Sequence, residues 1–580
     1  MGERDAGSGM RRKGPPALEP SAHPASRFPI PLLSPVKRLL LVLLPLFVAA
    51  CDGGITGTPE DNAPPTTELS VRAASLVGQI PEADRLSSTI EVSWSGTDPD
   101  GFVTAFELRY YNEGTTPPAE QGWTRTGRRD TTILLPIPRG SRTANVVFEV
   151  RAIDNRGDKD PSPARTVFPI RNSPPTLAIS RTDVPPDTTF TVASFGLTAT
   201  DPEGTPNLAR IELALNDSTQ FVELPADAQY VTLVGEFDRN NPNQTTTTAR
   251  VYLGRTFQPT SIRIPGLRLN ARNVLYARAA DVTDTTSVVV RYPAAGAMTP
   301  WYVKKPRTRV LVVNDFRKPT SPTVMAYHLG VLREHLGVNP DVWNVDQPYV
   351  TGSTGISARS PLIGPVQEPA LRETFALFDA IYWVSTQTTD SPSRYTLPFA
   401  APAMQKFFDQ GGRLLVHSPV TVPQSSADFQ DNLDNPALFL LPITRLVQLP
   451  DTVRSISVDA NAPVRPVRSL PGFSGTLPTL RTNAFILTTL PYEASDSRTF
   501  TLYEATFTYQ ARNRNAGLWP GPNAAISYRN GADGRPNVVL FSLPAVNESS
   551  GAPLLYTEGT TQDGGRVVIR ALLTALRFAP

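Results

Sequence analysis

The chain has 580 residues and a formal net charge of +2, with 55 basic and 53 acidic residues. Acids and bases are interspersed, which excludes a protein that grips nucleic acid through a clustered basic face. The single cysteine, Cys51, excludes intrachain disulfides and metal centres built on thiolates, so stability must come from packed cores. With 59 prolines and abundant Thr and Ser, the composition favours strands and turns over helical bundles.

Met1–Val36 has no apolar period. Lys37 and Arg38 then precede an apolar run, Leu39–Ala50, that is short for a bilayer span and ends in small residues, as a cleavable export signal does. The competing reading is a buried core helix with an incidental cysteine. Val48-Ala49-Ala50-Cys51 resembles the bacterial lipoprotein signal, in which the cysteine is acylated and becomes the mature N-terminus. The resemblance implies that residues 1–50 are removed, that Cys51 is the lipid attachment, and that the chain is membrane-anchored in the bacterial cell envelope, on the periplasmic face or the cell surface. Either translation starts later, at Met10, or the leader is extended. Residues 51–65, rich in Gly, Thr, Pro and Asn, read as a flexible tether. No second stretch approaches spanning length.

A weak internal repeat follows. Asn62-Ala63-Pro64-Pro65-Thr66 recurs as Asn172-Ser173-Pro174-Pro175-Thr176, Thr97-Asp98-Pro99-Asp100-Gly101 as Thr200-Asp201-Pro202-Glu203-Gly204, and Phe148–Asp154 as Tyr276–Asp281, in the same order. Within the first copy, Ile90, Val92 and Trp94 alternate with polar residues. So do Phe106, Leu108 and Tyr110, and again Phe148, Val150 and Ala152. Period two between turn residues predicts the half-buried strands of a sandwich. Trp94, the Asp-Pro-Asp-Gly turn, Phe106–Tyr110 and Phe148–Asp154 resemble the fibronectin type III fold. Phe148 departs from it, standing near a tyrosine whose hydroxyl often ties down a corner in that family. We assign residues 66–172 to this domain and 173–300 to a second immunoglobulin- or fibronectin-like sandwich, loosened by an insertion at Asn240–Thr248. Asp98, Asp100, Asp201 and Glu203 have the spacing of hard-cation ligands, but Asp-Pro-x-Gly is first a tight turn, which is the reading we prefer. Arg156-Gly157-Asp158 resembles an integrin-binding loop, though three-residue matches arise often by chance.

From Arg307 the texture changes. Arg309–Asp315 is a continuous apolar run ending in polar residues, as a buried parallel strand is. Val324–Leu336 has helical spacing through Val324, Leu329, Leu332 and Leu336 and stops at Gly337. Further strands are predicted at Asp341–Val345, Phe378–Val384, Arg413–Ser418, Asn523–Tyr528 and Asn537–Ser542, and helices at Ala401–Asp409 and Gly565–Phe578. Alternating strands and helices predict an α/β doubly wound, flavodoxin-like parallel sheet over residues 306–580. Val310–Asp315, the Phe407–Gly412 helix end with its following strand, and the closing Val538–Leu543 strand plus helix resemble the class I glutamine amidotransferase-like fold in its non-catalytic form. A Pro-rich, strand-like stretch at about 424–520 reads as a β-rich insertion over the sheet edge.

The resembled family needs a cysteine after the strand that here ends Val416-His417-Ser418, and a later His and Glu. This chain has Ser418 there and no histidine beyond it; its four histidines are His23, His328, His335 and His417. Strand neighbours point to opposite faces, so His417 is badly placed as a base for Ser418. Pro419 breaks the Gly-x-Ser-x-Gly pattern. His328 and His335, two helical turns apart, read as one exposed stripe. No phosphate-binding glycine loop follows the first strand. The open strand ends, with Asp315, Thr386, His417 and Ser418, remain the expected ligand site, with no catalytic residue, metal or cofactor assigned.

These residues lead to one expected function and two rivals. The first is a non-enzymatic, lipid-anchored envelope protein that presents a binding domain to a protein or glycan partner, without nucleic acid. The second is an envelope hydrolase acting on carbohydrate or ester substrates through Ser418 or a carboxylate pair. The third is a surface adhesin that uses the sandwich loops.

Overall fold

The computed structural model describes residues 61–70, 81–115, 117–138, 141–298, 300–316, 318–345, 355–357, 368–386, 397, 400–421 and 440–580. The leader, Cys51 and most of the tether lie outside the described residues, as do 424–439 of the expected insertion. The fold described is that of the compact unit Pro64–Pro580.

The first domain is a sandwich. One sheet has the order Thr66–Ser70, Thr89–Thr97, Asp130–Leu134. The facing sheet has the order Leu86–Ser87, Ala164–Arg171, Thr143–Asp154, Val103–Asn112, Thr124–Thr126. Ile90, Val92 and Trp94 are buried while the residues between them face out, as period two requires. Trp94 packs on Phe106 and Phe148 with ring centroids 6.2 Å apart, and Phe148 on Phe168 at 6.3 Å. Phe148 is therefore a core residue.

Tyr110 departs from the expected alternation and is 42% exposed. The register shift between Val103 and Ala105 precedes it, and the strand leaves the core as it reaches Tyr110. The opposite face of this sheet is covered by a ladder. The Trp123 ring lies between the guanidinium groups of Arg109 and Arg151, at 4.3 and 4.2 Å. Arg109 Nε donates to Glu149 Oε2 at 2.7 Å, and Arg151 reaches Glu107 and both oxygens of Glu120. This cover explains why Thr143–Asp154 is buried on both faces in its second half. Trp123→Ala removes two cation–π contacts at once and should cost the sandwich ~2 kcal/mol. Urea unfolding of the full chain checks this, and a change below ~0.5 kcal/mol would contradict it.

The second sandwich repeats the plan and enlarges it. Its sheets are Gln258–Arg268, Thr246–Leu253, Tyr230–Gly235, Val192–Thr200, Thr176–Ile179, and Val222–Pro225, Leu208–Leu215, Leu275–Asp281, Val290–Tyr292. The stretch expected as an insertion leads into the hairpin Thr246–Leu253 and Gln258–Arg268, which widens the first sheet. Trp301–Val303 joins a small third sheet, and Trp301 packs edge-on against Phe195 at 5.2 Å. The repeat extends to individual atoms. Asp154 Oδ1 accepts the N–H groups of Arg156, Gly157 and Asp158, and Asp281 Oδ1 accepts those of Thr283 and Thr285. The Arg-Gly-Asp tripeptide is thus wrapped on Asp154.

Both junctions are bonded. Asn172 Nδ2 donates to Asp281 Oδ2 at 2.5 Å, and Ser173 N to Glu203 Oε1 at 3.2 Å. Between the second sandwich and the C-terminal domain, Phe190 packs on Phe378 at 5.1 Å, and Arg239 donates to the carbonyls of Thr308 and Leu377.

The C-terminal domain is built on a mixed sheet with 13 strands among the described residues. Its parallel half runs Gly355–Ser357, Asp341–Asn344, Val310–Asp315, Ala380–Ser385, Arg413–His417, Pro536–Phe541. The strand order reverses direction between Val310–Asp315 and Ala380–Ser385. Helices Ser321–Leu336 and Gly564–Ala575 cover one face, and Glu368–Phe375 with the turn and helix Ala401–Asp409 cover the other. That last helix stops where expected. Gly411 has φ +81°, and a Cβ on Gly412 would lie 2.5 Å from the Phe407 carbonyl oxygen.

The sheet is not parallel throughout. Ala524–Asn530 pairs antiparallel with Pro536–Phe541, and the sheet continues through Thr499–Ala505, Pro463–Pro466, Leu480–Thr482 and Leu555–Thr557. The segment expected to lie over the edge therefore extends the sheet itself. Val453–Val458, Phe507–Ala511 and Ala516–Leu518 form a separate three-stranded sheet.

Candidate functional site

The run Val310–Asp315 is buried on both faces, and its two polar residues, Asn314 and Asp315, mark the end of the strand while remaining buried themselves. Register places the expected site residues along that end. Asp315 lies beside Ser385, which precedes Thr386; Val384 lies beside His417, and His417 beside Phe541. Ser418 follows, its N–H donating to the Phe541 carbonyl at 3.1 Å. Asp315, Thr386, His417 and Ser418 therefore share one edge.

They do not share one face. Period two assigns Leu311, Val313, Ile381, Trp383, Leu414 and Val416 to the side covered by Glu368–Phe375. Asp315 belongs there, and Trp383 Nε1 donates to its Oδ2 at 3.1 Å. Ser418, one residue beyond Arg413–His417, continues the same alternation. His417 faces the other way, into the core beneath Ser321–Leu336 with Tyr382 and Phe541. The sheet separates the residues expected to form one ligand site, because odd and even positions of a strand cannot meet. Ser418 is fully buried, and its hydroxyl lies 3.5 Å from the Pro419 carbonyl oxygen.

On the His417 face the structure brings in a residue not expected there. His328 was read as part of an exposed helical stripe, yet it is fully buried. The inward stripe of Ser321–Leu336 runs through Val324, His328, Val331 and Leu332, whereas Leu329 is only partly buried. The spacing of four between Val324, His328 and Leu332 is the signal that could have found it. The His328 and His417 rings lie 4.4 Å apart, tilted by 54°. The Tyr382 hydroxyl is 2.8 Å from His328 Nδ1, and the Phe541 ring is 5.0 Å from His417. Two ring nitrogens, His328 Nε2 and His417 Nδ1, are sealed from solvent and have no hydrogen-bond partner among the described residues.

Burial sets the electrostatics here. It holds His417 down to about 3, and it holds His328 well below the usual imidazole range, with His417 adding to the effect. Both rings are neutral at pH 7. Tyr382 is pushed well above the ordinary phenol range by the same burial. Nearby, Tyr327 donates to Asp563 Oδ1 at 2.9 Å, and Asp563 caps the last helix through Arg566 N at 2.9 Å. The face is a packed polar seam between helix and sheet. Among the described residues, no three His, Cys, Asp or Glu side chains converge to hold a metal ion. Among them too, no helix is long and apolar enough to cross a membrane.

No family model matches this chain, and no curated protein matches it. Among solved structures it is similar to the fibronectin(III)-like modules of Clostridium thermocellum CbhA, at 11% identity over 41% of this chain and 95% of that one, TM-score 0.15. It is also similar to the chicken interferon gamma receptor alpha chain, at 11% identity over 35% and 91%, TM-score 0.16. Chicken CNTN1 FN1–FN3 domains match at 10% identity over 39% and 97%, TM-score 0.13. At these TM-scores the fold rests on strand order. Three strands face four plus a short edge strand in the first sandwich, with Trp94 and Phe148 at its centre. The first sandwich is fibronectin type III-like. The second keeps that arrangement with a widened sheet.

Proposed function

We propose that this chain is a non-enzymatic, lipid-anchored protein of the bacterial cell envelope. Two sandwiches carry a degenerate amidotransferase-like domain and present it to a protein or glycan partner. The order basic pair, apolar run, small residues, Cys51 supports the anchor. Phe190 on Phe378, with Arg239 on two carbonyls of the next domain, supports presentation in a fixed orientation.

The observation that carries binding over catalysis is the separation of Ser418 from His417. A serine nucleophile needs a base within hydrogen-bond reach and an exposed oxygen. Ser418 is fully buried on one face of the sheet, and the histidine pair is buried on the other. Metabolic labelling with a fatty-acid analogue should mark the wild type and leave Cys51→Ala unlabelled; equal labelling of both would sink the anchor. Ester or glycoside turnover by the purified chain that is lost in Ser418→Ala would replace the binding reading with a hydrolase.

A further inference from the structure

Asp315, His417 and Ser418 are buried at the C-terminal ends of the parallel strands. A cavity of about 790 Å³ lies toward the other ends of those strands, between the turn and helix Ala401–Asp409 and the start of Pro536–Phe541. Small-ligand sites typically enclose roughly 300–1,000 Å³. Register fixes its place in the sheet: Val538 pairs with Leu414 on one side and with Arg529 on the other. One wall is apolar, formed by Phe408, Leu440 and Val538. The rest of the lining carries two guanidinium groups, those of Arg498 and Arg529, and one carboxylate, that of Asp496.

Backbone carbonyls orient both guanidinium groups. Arg529 donates to the Leu441 carbonyl, and Arg498 Nη2 to the Asn530 carbonyl at 3.3 Å. Asp496 is engaged by its own turn, since its Oδ1 accepts the N–H groups of Arg498 and Thr499 at 2.7 Å each. Burial, and with it the charge of Arg498, acts against the charge on Arg529, and Asp496 offsets only part of that. Two cations that share one acid leave the cavity electropositive, and planar guanidinium forks match a carboxylate. We propose that this cavity binds a carboxylate-bearing sugar, with Arg498 and Arg529 on the carboxylate and Phe408 against the apolar face of the ring. The Ser497 hydroxyl and the Gln405 amide, also in the lining, are the polar groups for the sugar hydroxyls. The inference rests on the reading of the C-terminal domain as one that binds a glycan, and it specifies that glycan as acidic.

The test is isothermal titration of the purified full chain with sodium glucuronate, neutral glucuronamide and sodium acetate. Glucuronate should bind with a Kd of about 1 mM, as the size of the ligand allows. Glucuronamide, which keeps the ring and loses the charge, should bind about tenfold more weakly, and so should acetate, which keeps the charge and loses the ring. Arg498 is exposed, so Arg498→Gln should leave the fold intact, verified by far-UV circular dichroism, and weaken glucuronate about tenfold. Arg512→Gln, at an exposed arginine outside the cavity, should leave the affinity unchanged. Glucuronate bound no better than glucuronamide or acetate, bound equally by Arg498→Gln, or not bound at about 20 mM would overturn the proposal. Glucuronate that binds through Arg498 but is recovered chemically altered would uphold the site and overturn the non-enzymatic reading instead.

Discussion

Lowering the pH from 7 to 4 should weaken the C-terminal domain by about 3 kcal/mol through His417 alone, with His328 adding to the loss. The direction follows from proton uptake. In the unfolded chain each imidazole binds a proton below about 6.5. In the folded domain both remain neutral, because a charge there would sit between Tyr382, Phe541 and the other imidazole, with no acid among the described residues to pair it. The unfolded state therefore binds more protons, and stability falls from about pH 6.5 down to the folded value of about 3. Hydrogen exchange of peptides from Ser321–Leu336 and Arg413–His417, corrected for intrinsic rates, should lose about a hundredfold in protection. His417→Leu keeps the packing and removes one titrating group, so its loss should be smaller by that same ~3 kcal/mol. A wild-type domain equally protected at both pH values would mean the rings are not buried as a neutral pair.

The largest expected single-residue effect is on the other face. Trp383 is fully buried against Trp343 and Phe375, with ring centroids 6.0 and 6.3 Å away. Its indole N–H is also a donor to the buried Asp315 carboxylate. Trp383→Ala should cost about 4 kcal/mol in packing, and more because a donor to a buried charge is lost. A domain of ordinary stability would be largely unfolded by that change. Trp383→Phe keeps most of the packing and should cost only about 2 kcal/mol, read from the urea midpoint of the full chain. Similar midpoints for the two variants would show that the hydrogen bond, not the packing, dominates at this site.

The sandwiches were legible because one face of each strand is wet. Ile90, Val92 and Trp94 alternate with exposed residues, so period two is written in the residue types. The parallel strands were legible for the opposite reason, since burial on both faces makes Val310–Val313 and Leu414–Val416 continuous apolar runs. The antiparallel half was legible as the strand at Asn523–Tyr528 and a strand-like stretch, but its pairing into the sheet was hidden. Its strands Pro463–Pro466 and Leu480–Thr482 are four and three residues long, the first begins and ends in proline, and their outer partners are the distant segments Thr499–Ala505 and Leu555–Thr557. The site was half legible. The ends of the strands locate Asp315, His417 and Ser418, but only register assigns them to opposite faces. His328 was missed because an imidazole within an apolar stripe looks like the polar edge of a helix until Tyr382 and His417 are brought against it.

The proposed function is a lipid-anchored binding protein, and the burial of the histidine pair on the face opposite Ser418 is the feature of the C-terminal domain that supports it. Intact-mass spectrometry of the protein purified from membranes tests that account most directly. The expected mature chain begins at Cys51 and carries a diacylglyceryl and acyl mass on that residue. A chain that retains residues before Cys51, or one that begins elsewhere and bears no lipid, would contradict it.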